Sequence, residues 1–358
     1  MAKTAEYGLG EFTFPRGWFV IAESAKVNTV PMSIRYFGND MVLYRGQSGK
    51  AHLLDAYCPH MGTHLGANTT SYVVRDHQHV QGDSIRCPYH AWRFGPDGQV
   101  DDIPYFKGPY PKAACVRAWK IQEKYGMVWV WHDAESGEPN YDLPELEEWN
   151  DPQWVRWRID DLGTLNSHPQ EFVDNISDYS HLDPIHGSTV EYFENEFSDH
   201  IAIQRQGGGH RTLTDTKHIL ETYTWYTGPS FLLSRMTGGE ESIMMITHTP
   251  IDDGVSRAWF GLLVKSKSAL ATDSDIAVAR AYQDTSLAAF AQDFEVWSTK
   301  RPALQIMQLP TDGPFGKART WYKQFYNPRA KAKEYQDKVR GVHTIPGVAP
   351  APGLKQAS

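Results

Sequence analysis

Between Phe14 and about Asp133 the apolar residues come in short runs: Trp18-Phe19-Val20, Met41-Val42-Leu43-Tyr44, His52-Leu53-Leu54 and Met127 to Trp131. Pieces such as Gly46-Gln47-Ser48-Gly49 and Pro96-Asp97-Gly98 stand between them, as tight loops between strands require. The pattern predicts a small all-β domain over residues 1–135, closed by the polar stretch Ala134 to Asn140. Beyond it the texture changes. Residues 169–179 have helical spacing, and residues 201–264 return to strands rich in Thr, Tyr, Trp and Ile. From Ser274 to Lys300, Ile276, Ala279, Leu287, Phe290, Phe294 and Trp297 recur at three- and four-residue steps, broken only near Gln283, which predicts one long helix with a buried face. The expected fold class is α+β, with the second domain, 136–327, an antiparallel sheet wrapped on that helix. The tail, 328–358, is rich in Lys, Ala, Gly and Pro and is expected to lie over the surface or to be partly disordered.

Composition narrows the class without naming a function. At 358 residues, 41% hydrophobic and 22% charged, the chain is long enough for two cores and has the balance of a folded globular protein. A formal net charge of −8 gives no attraction for a phosphate backbone, so no nucleic-acid partner is expected. The N-terminus has no apolar run behind a basic patch, and nowhere are there the ~20 apolar residues of a spanning helix, so no membrane segment and a cytoplasmic location are expected. Three cysteines, Cys58, Cys87 and Cys115, do not make a disulfide scaffold.

Two of those cysteines stand in related surroundings. Cys58-Pro59-His60 and Cys87-Pro88-Tyr89-His90 are two close Cys/His pairs held apart by a loop, each placed in a predicted turn between strands. Two thiolates and two imidazoles suit a histidine-ligated iron-sulfur cluster. They also suit tetrahedral zinc, and ligand identity alone does not separate the two. His77 and His79, in the loop between the pairs, are read as solvated side chains outside the ligand set, and His64, close to the first pair, is not needed as a ligand.

The second constellation is Asp178-Tyr179-Ser180-His181, followed by His186. Residues three to five apart on a helix or its frayed end share a face, and Pro184 is expected to break the helix before the second His. Two imidazoles and one carboxylate on one side of an iron leave other positions open for O2. A carboxylate from a second element fits Asp293 or Glu295, which point to different sides of the predicted helix.

The segments Cys58 to Gly62 and Cys87 to Phe94 resemble the Rieske signature of ring-hydroxylating oxygenases, and Asp178-x2-His181-x4-His186 resembles the iron site of the same family. The resemblance implies a [2Fe-2S] cluster with Cys58 and Cys87 on one iron and His60 and His90 on the other. It implies a mononuclear Fe(II) held by His181, His186 and, from the pattern Gln292-Asp293-x-x-Val296-Trp297, Asp293. Asp178 is then an electron-transfer bridge between His181 and His90 of the partner subunit in a homotrimer. Asp55 to Gly62, Gln292 to Lys300 and Arg319 to Tyr326 resemble the oxygenase components of 3-ketosteroid 9α-hydroxylases and their sterol-acting relatives. That implies an N-terminal Rieske domain, a helix-grip catalytic domain and O2-dependent monooxygenation of a small, bulky apolar substrate, a steroid. Electrons would come from NAD(P)H through a separate reductase or ferredoxin. A second reading keeps the iron machinery and gives it a smaller aromatic substrate for monooxygenation, dioxygenation or O-demethylation. A third, an electron carrier or zinc-stabilised structural protein, leaves Asp178, His181, His186 and Asp293 without a role.

Overall fold

The computed structural model describes residues 1–210 and 219–352, so part of the strand-rich stretch, 211–218, and the end of the tail, 353–358, lie outside the described residues. The chain forms two compact units, one of residues 19–131 and one of residues 1–18 with 132–358. A short helix α1 (Thr4–Tyr7) precedes β1 (Gly17–Glu23).

The first unit is built of strands. β1 pairs with β10 (Met127–His132), which pairs with β9 (Ile121–Lys124). β2 (Met32–Tyr36), β3 (Asn39–Arg45) and β4 (Ala51–Asp55) form a second sheet. β5 (Val80–Gln81), β6 (Ser84–Arg86), β7 (Arg93–Phe94) and β8 (Val100–Asp102) form a third. Val42, Tyr44, Leu54, Leu65, Ile85 and Phe94 pack with Cys58 and Cys87 in one core, so the loop cysteines are anchored by apolar burial. The loop between the Cys/His pairs carries helix α2 (Tyr72–Arg75). His77 is exposed as expected, but His79 is not: it is buried, and its Nε2 lies 2.6 Å from the Leu65 carbonyl. The Arg86 amide donates to the His79 carbonyl at 2.8 Å, which extends the β5–β6 hairpin and draws His79 inward.

In the second unit, one antiparallel sheet runs β11 (Trp154–Val155), β18 (Val255–Lys265), β17 (Ser242–Asp252), β16 (Phe231–Thr237), β15 (Leu220–Thr227), β14 (Ile201–His210), β13 (Ser188–Ser198) and β19 (Gly341–Thr344). β12 (Asp160–Leu165) also pairs with β18. Three helices lead to or lie against it: α3 (Pro169–Asp174), α4 (Leu182–His186) and the long α5 (Asp273–Thr299). Thr272 caps α5 through a capping box with Asp275, and Ala279, Phe290 and Trp297 pack into the sheet core. Gln283, which interrupts the apolar stripe, is buried on the same face. Its amide donates to the Arg158 carbonyl at 2.7 Å and to Asp160 at 2.6 Å, and its oxygen accepts from the Arg158 amide at 3.1 Å.

The expected boundaries need correction at both ends. Residues 1–18 pack with the second unit: Leu9 is in its core, and the Arg16 guanidinium donates to the Gln324 and Asn327 carbonyls at 3.0 Å. The described part of the tail after α6 (Phe315–Lys323), to residue 352, lies over the surface as expected but as regular structure. It forms α7 (Arg329–Val339), buries Val339, and adds β19 beside β13, covering an edge that would otherwise expose unpaired backbone groups. Pro184 does not break a helix; it sits in the first turn of α4, where its missing amide is tolerated. Among the described residues, no helix is long and apolar enough to cross a membrane.

Two buried histidines set an acid limit on this unit. Burial is the main cause that lowers His168 to about 4 and His248 to about 3. His168 bonds Thr4 Oγ1 at 2.9 Å, whereas His248 stacks on Phe172 with neither ring nitrogen paired among the described residues. Both are neutral when folded but take up a proton in the unfolded chain near pH 6.5. Stability is therefore expected to fall as pH drops from about 6.5 toward 4, by roughly 1.4 kcal/mol per pH unit for each histidine. Urea melts of the parent and of His248→Phe across that range check this; a slope unchanged by the substitution would contradict it.

Candidate metal centres

The two Cys/His loops of the first unit have the same backbone pattern. In one, the Cys58 amide donates to Thr63 O at 2.9 Å and Gly62 donates back to Cys58 O at 2.9 Å; in the other, Cys87 donates to Trp92 O at 2.7 Å and Ala91 back to Cys87 O at 3.1 Å. Gly62 and Ala91 occupy equivalent positions with φ of 73° and 59°. This tight reversal turns backbone amides onto the sulfur: Cys58 receives those of His60 and Met61, and Cys87 those of Tyr89 and His90. The two thiols also hydrogen-bond each other. That bond, with burial, raises the Cys58 pKa, while the same bond lowers Cys87 to about 6. At the loop tips the His60 and His90 rings lie 4.6 Å apart, and Trp92 stacks flat on His60. Buried sulfurs that accept amide protons, with two imidazoles at the tips, are a donor set that fits a histidine-ligated [2Fe-2S] cluster. His64 is occupied elsewhere, its Nδ1 accepting from the Gly66 amide at 3.0 Å.

In the second unit, α3 ends in a 3-10 turn, Asn175–Ser177, so the expected single helix to Tyr179 is broken before Asp178. The break aims His181, just ahead of α4, and His186, at its end, toward α5. Ligand atoms of His181, His186 and Asp293 all lie within 4.8 Å of one another. His186 Nε2 is 3.3 Å from the Asp293 carboxylate, which is buried, whereas Glu295 is exposed. Two imidazoles and a carboxylate gathered this closely fit a mononuclear non-haem iron.

The neighbours fix the imidazoles. His181 Nδ1 lies 2.7 Å from the Asp178 backbone carbonyl and 3.6 Å from its carboxylate. A carbonyl only accepts, so the proton sits on Nδ1 and the Nε2 lone pair faces the site. Burial opposes protonation of His181, but the hydrogen bond to Asp178 and the charges of Asp178 and Asp293 outweigh it and raise its pKa. Burial likewise works against ionised Asp178, and its bonds to His181 and Ser180 still hold it below the usual carboxylate range.

Three further contributors were given no role in the sequence reading, although Gln292 stands in the pattern that points to Asp293. Asn175 Nδ2 lies 3.4 Å from both His181 Nε2 and Asp293. Gln292 lies 3.3 Å from His186 Nδ1. Gly313 is required because a Cβ there would stand 1.7 Å from the Ser177 carbonyl. The adjacent Asp312 carbonyl accepts from the Tyr179 amide at 2.9 Å, so this loop packs directly on the His181 turn.

Known proteins share both units. The Rieske [2Fe-2S] domain family matches residues 17–120, and the 3-Ketosteroid 9alpha-hydroxylase C-terminal domain family matches residues 130–326. The chain belongs to the 3-ketosteroid 9α-hydroxylase family of Rieske oxygenases. A 3-ketosteroid-9-alpha-monooxygenase oxygenase component of Rhodococcus rhodochrous is 32% identical, over 91% of this chain and 87% of that protein. One from Mycolicibacterium smegmatis is 31% identical, over 87% and 82%. Cholesterol 7-desaturase of Caenorhabditis elegans is 26% identical, over 87% and 77%. The fold is shared with solved structures of low identity. Pseudomonas putida CBB5 NdmA with caffeine has a TM-score of 0.67 at 16% identity, covering 91% of this chain and 95% of that one. Apo dicamba monooxygenase has 0.62 at 18%, covering 91% and 97%. The first unit is thus a Rieske domain, which sets aside a zinc-structural role, and the family makes the chain a Rieske oxygenase.

Two glycines test this local geometry. A Cβ at Gly62 meets nothing within 4 Å, so Gly62→Ala should cost only the left-handed backbone penalty, about 1–2 kcal/mol. Gly313→Ala should loosen the His181 turn and release metal from the second unit while sparing the visible spectrum of the first. Metal content and melting curves of both variants check this; equal behaviour would contradict it.

Proposed function

We propose that this chain is the oxygenase component of a multicomponent Rieske monooxygenase that hydroxylates a steroid. The observation that carries the reading is the gathering of His181, His186 and Asp293 within 4.8 Å in a chain whose other unit is a Rieske domain. In this reading Cys58 and Cys87 hold one iron of the cluster, His60 and His90 the other, and His181, His186 and Asp293 hold a mononuclear iron. When bound, the cluster supplies electrons one at a time and the mononuclear iron supplies O2 activation.

The chain's own residues bind, orient and exclude water. Asp178 fixes the His181 tautomer through its carbonyl, and its carboxylate bridges toward His90 of the partner subunit in a homotrimer. A carboxylate supporting a ligand imidazole raises its basicity as well as orienting it. The sheet face toward α5 carries Leu232, Met236, Met244, Ile246, Phe260 and Leu262, an apolar wall suited to a fused-ring substrate. The relatives are named oxygenase components, so electrons are assigned to a separate reductase or ferredoxin drawing on NAD(P)H. A cytoplasmic location accords with the absence of a spanning helix among the described residues.

The reading is tested by incubating the holoenzyme with a surrogate reductase, NADH, labelled O2 and a 3-ketosteroid. One labelled oxygen in the steroid product is expected, and reductant oxidation with no oxygenated steroid from any of a panel would contradict it. Two variants divide the roles. His186→Ala should abolish turnover and leave the cluster's electron paramagnetic resonance spectrum unchanged. Asp178→Asn should retain both metals and lower turnover by about tenfold to a hundredfold; normal turnover would sink the bridge.

A further inference from the structure

The antiparallel register aligns side chains of one sheet face into rows. One row reads Asn195, Gln204, Thr224, Ser234, Met244 and Leu262, and the next reads Phe193, Gln206, Thr222, Met236, Ser242 and Val264. Alternate residues of a strand point the same way, so both rows share a face with Tyr226, Leu232, Ile246 and Phe260. That face looks toward α5 and the His181 turn: Phe260 stacks on Phe290 at 5.9 Å, and the amides of Asn195 and Gln204 both reach the Ile176 carbonyl at 2.9 Å.

Most polar groups on this face are satisfied within the protein. Thr224 and Ser234 share a hydrogen bond of 2.7 Å, and Ser242 donates to the Glu240 carbonyl at 3.1 Å. Asn195 Oδ1 is unpaired among the described residues although its amide is bonded, and Gln206 Oε1 and Thr222 Oγ1 differ from it in facing each other. Both are buried atoms with no hydrogen-bond partner among the described residues, and the two residues stand directly opposite each other on β14 and β15. Leaving a buried polar atom unpaired is costly, so two facing ones beside an apolar wall mark a place for a polar group of the ligand.

We propose that Gln206 and Thr222 form a polar subsite for an alcohol on the steroid, so that the substrate is a hydroxysteroid. The inference rests on the steroid reading above. The alcohol donates its proton to Gln206 Oε1 and accepts from the Thr222 hydroxyl. A ketone accepts from Thr222 but is met by Gln206 only if its amide turns over to present Nε2, and a bare methylene leaves both unpaired. Gln206 lies four residues along β14 from His210, about 13 Å of extended strand, and the His210 ring bonds the backbone of His186. Phe193, opposite Gln206, packs on Tyr179 at 5.6 Å, so the alcohol is held on the side of the sheet that adjoins the His181 turn.

The test uses the holoenzyme with a surrogate reductase and three steroids alike except at one terminal-ring carbon, which carries an alcohol, a ketone or only hydrogen. The kcat/KM of the parent should favour the alcohol over the deoxy compound by about tenfold or more, with the ketone between. Gln206→Leu and Thr222→Val should each bring that ratio to within about threefold, chiefly through KM. The ratio is internal to each variant, so a loss of folded enzyme does not disturb it. A parent that does not discriminate, as when water fills the subsite, or a ratio unchanged in both variants, overturns this inference and leaves the steroid reading standing. A parent that turns over no steroid overturns both.

Discussion

A buried carboxylate is the constraint around which the second unit is arranged. Taking Asp293 out of water beside two imidazoles is expensive unless its charge is compensated, and the compensation must come from other elements because α5 offers none on that face. The helix is also fastened to α3 near its end. Lys300 pairs with Glu171, which also accepts from Tyr7 and from the Ala303 amide, and Arg319 holds Asp174 in a two-point ion pair. These buried acids sit just ahead of Asn175, so the distance from Asp293 to His181 is set by ion pairs and packing together. The N-terminal residues belong to this unit for the same reason: Tyr7 is one of the groups that satisfies Glu171.

The first unit meets a different demand with a repeated device. Each Cys/His loop reverses so tightly that two amides point at the sulfur, and each needs one residue in the left-handed region, Gly62 in one loop and Ala91 in the other. Ala91 tolerates this because its amide closes the turn on the Cys87 carbonyl. The cysteines are held by the apolar core while the imidazoles remain at the tips, so the same four residues combine a dry inner half with an accessible outer half.

Much of this was legible in the sequence because it is local. The 3.6-residue stripe of α5 gave its ends to within a residue, and the Cys-x-His, Cys-x-x-His and Asp-x-x-His spacings pointed to the two centres. What was not legible depends on contacts between distant segments. Helical spacing alone left Asp293 and Glu295 open, and only the packing of α5 buries one and exposes the other. The tail reads as polar surface because Val339 and Ile345 are isolated apolar residues, yet they anchor it while β19 covers β13. His79 reads as solvated from its polar neighbours and is drawn inward by an extended hairpin. Gln206 and Thr222 look ordinary in sequence; only the register sets them opposite each other.

The most direct test of two metal centres on one chain is iron and acid-labile sulfide analysis of anaerobically purified protein, with an electron paramagnetic resonance spectrum of the dithionite-reduced form. About three irons and about two sulfides per chain, with the low average g value of a histidine-ligated cluster, is the predicted result. Zinc without labile sulfide, or a cluster with no additional iron, would contradict it.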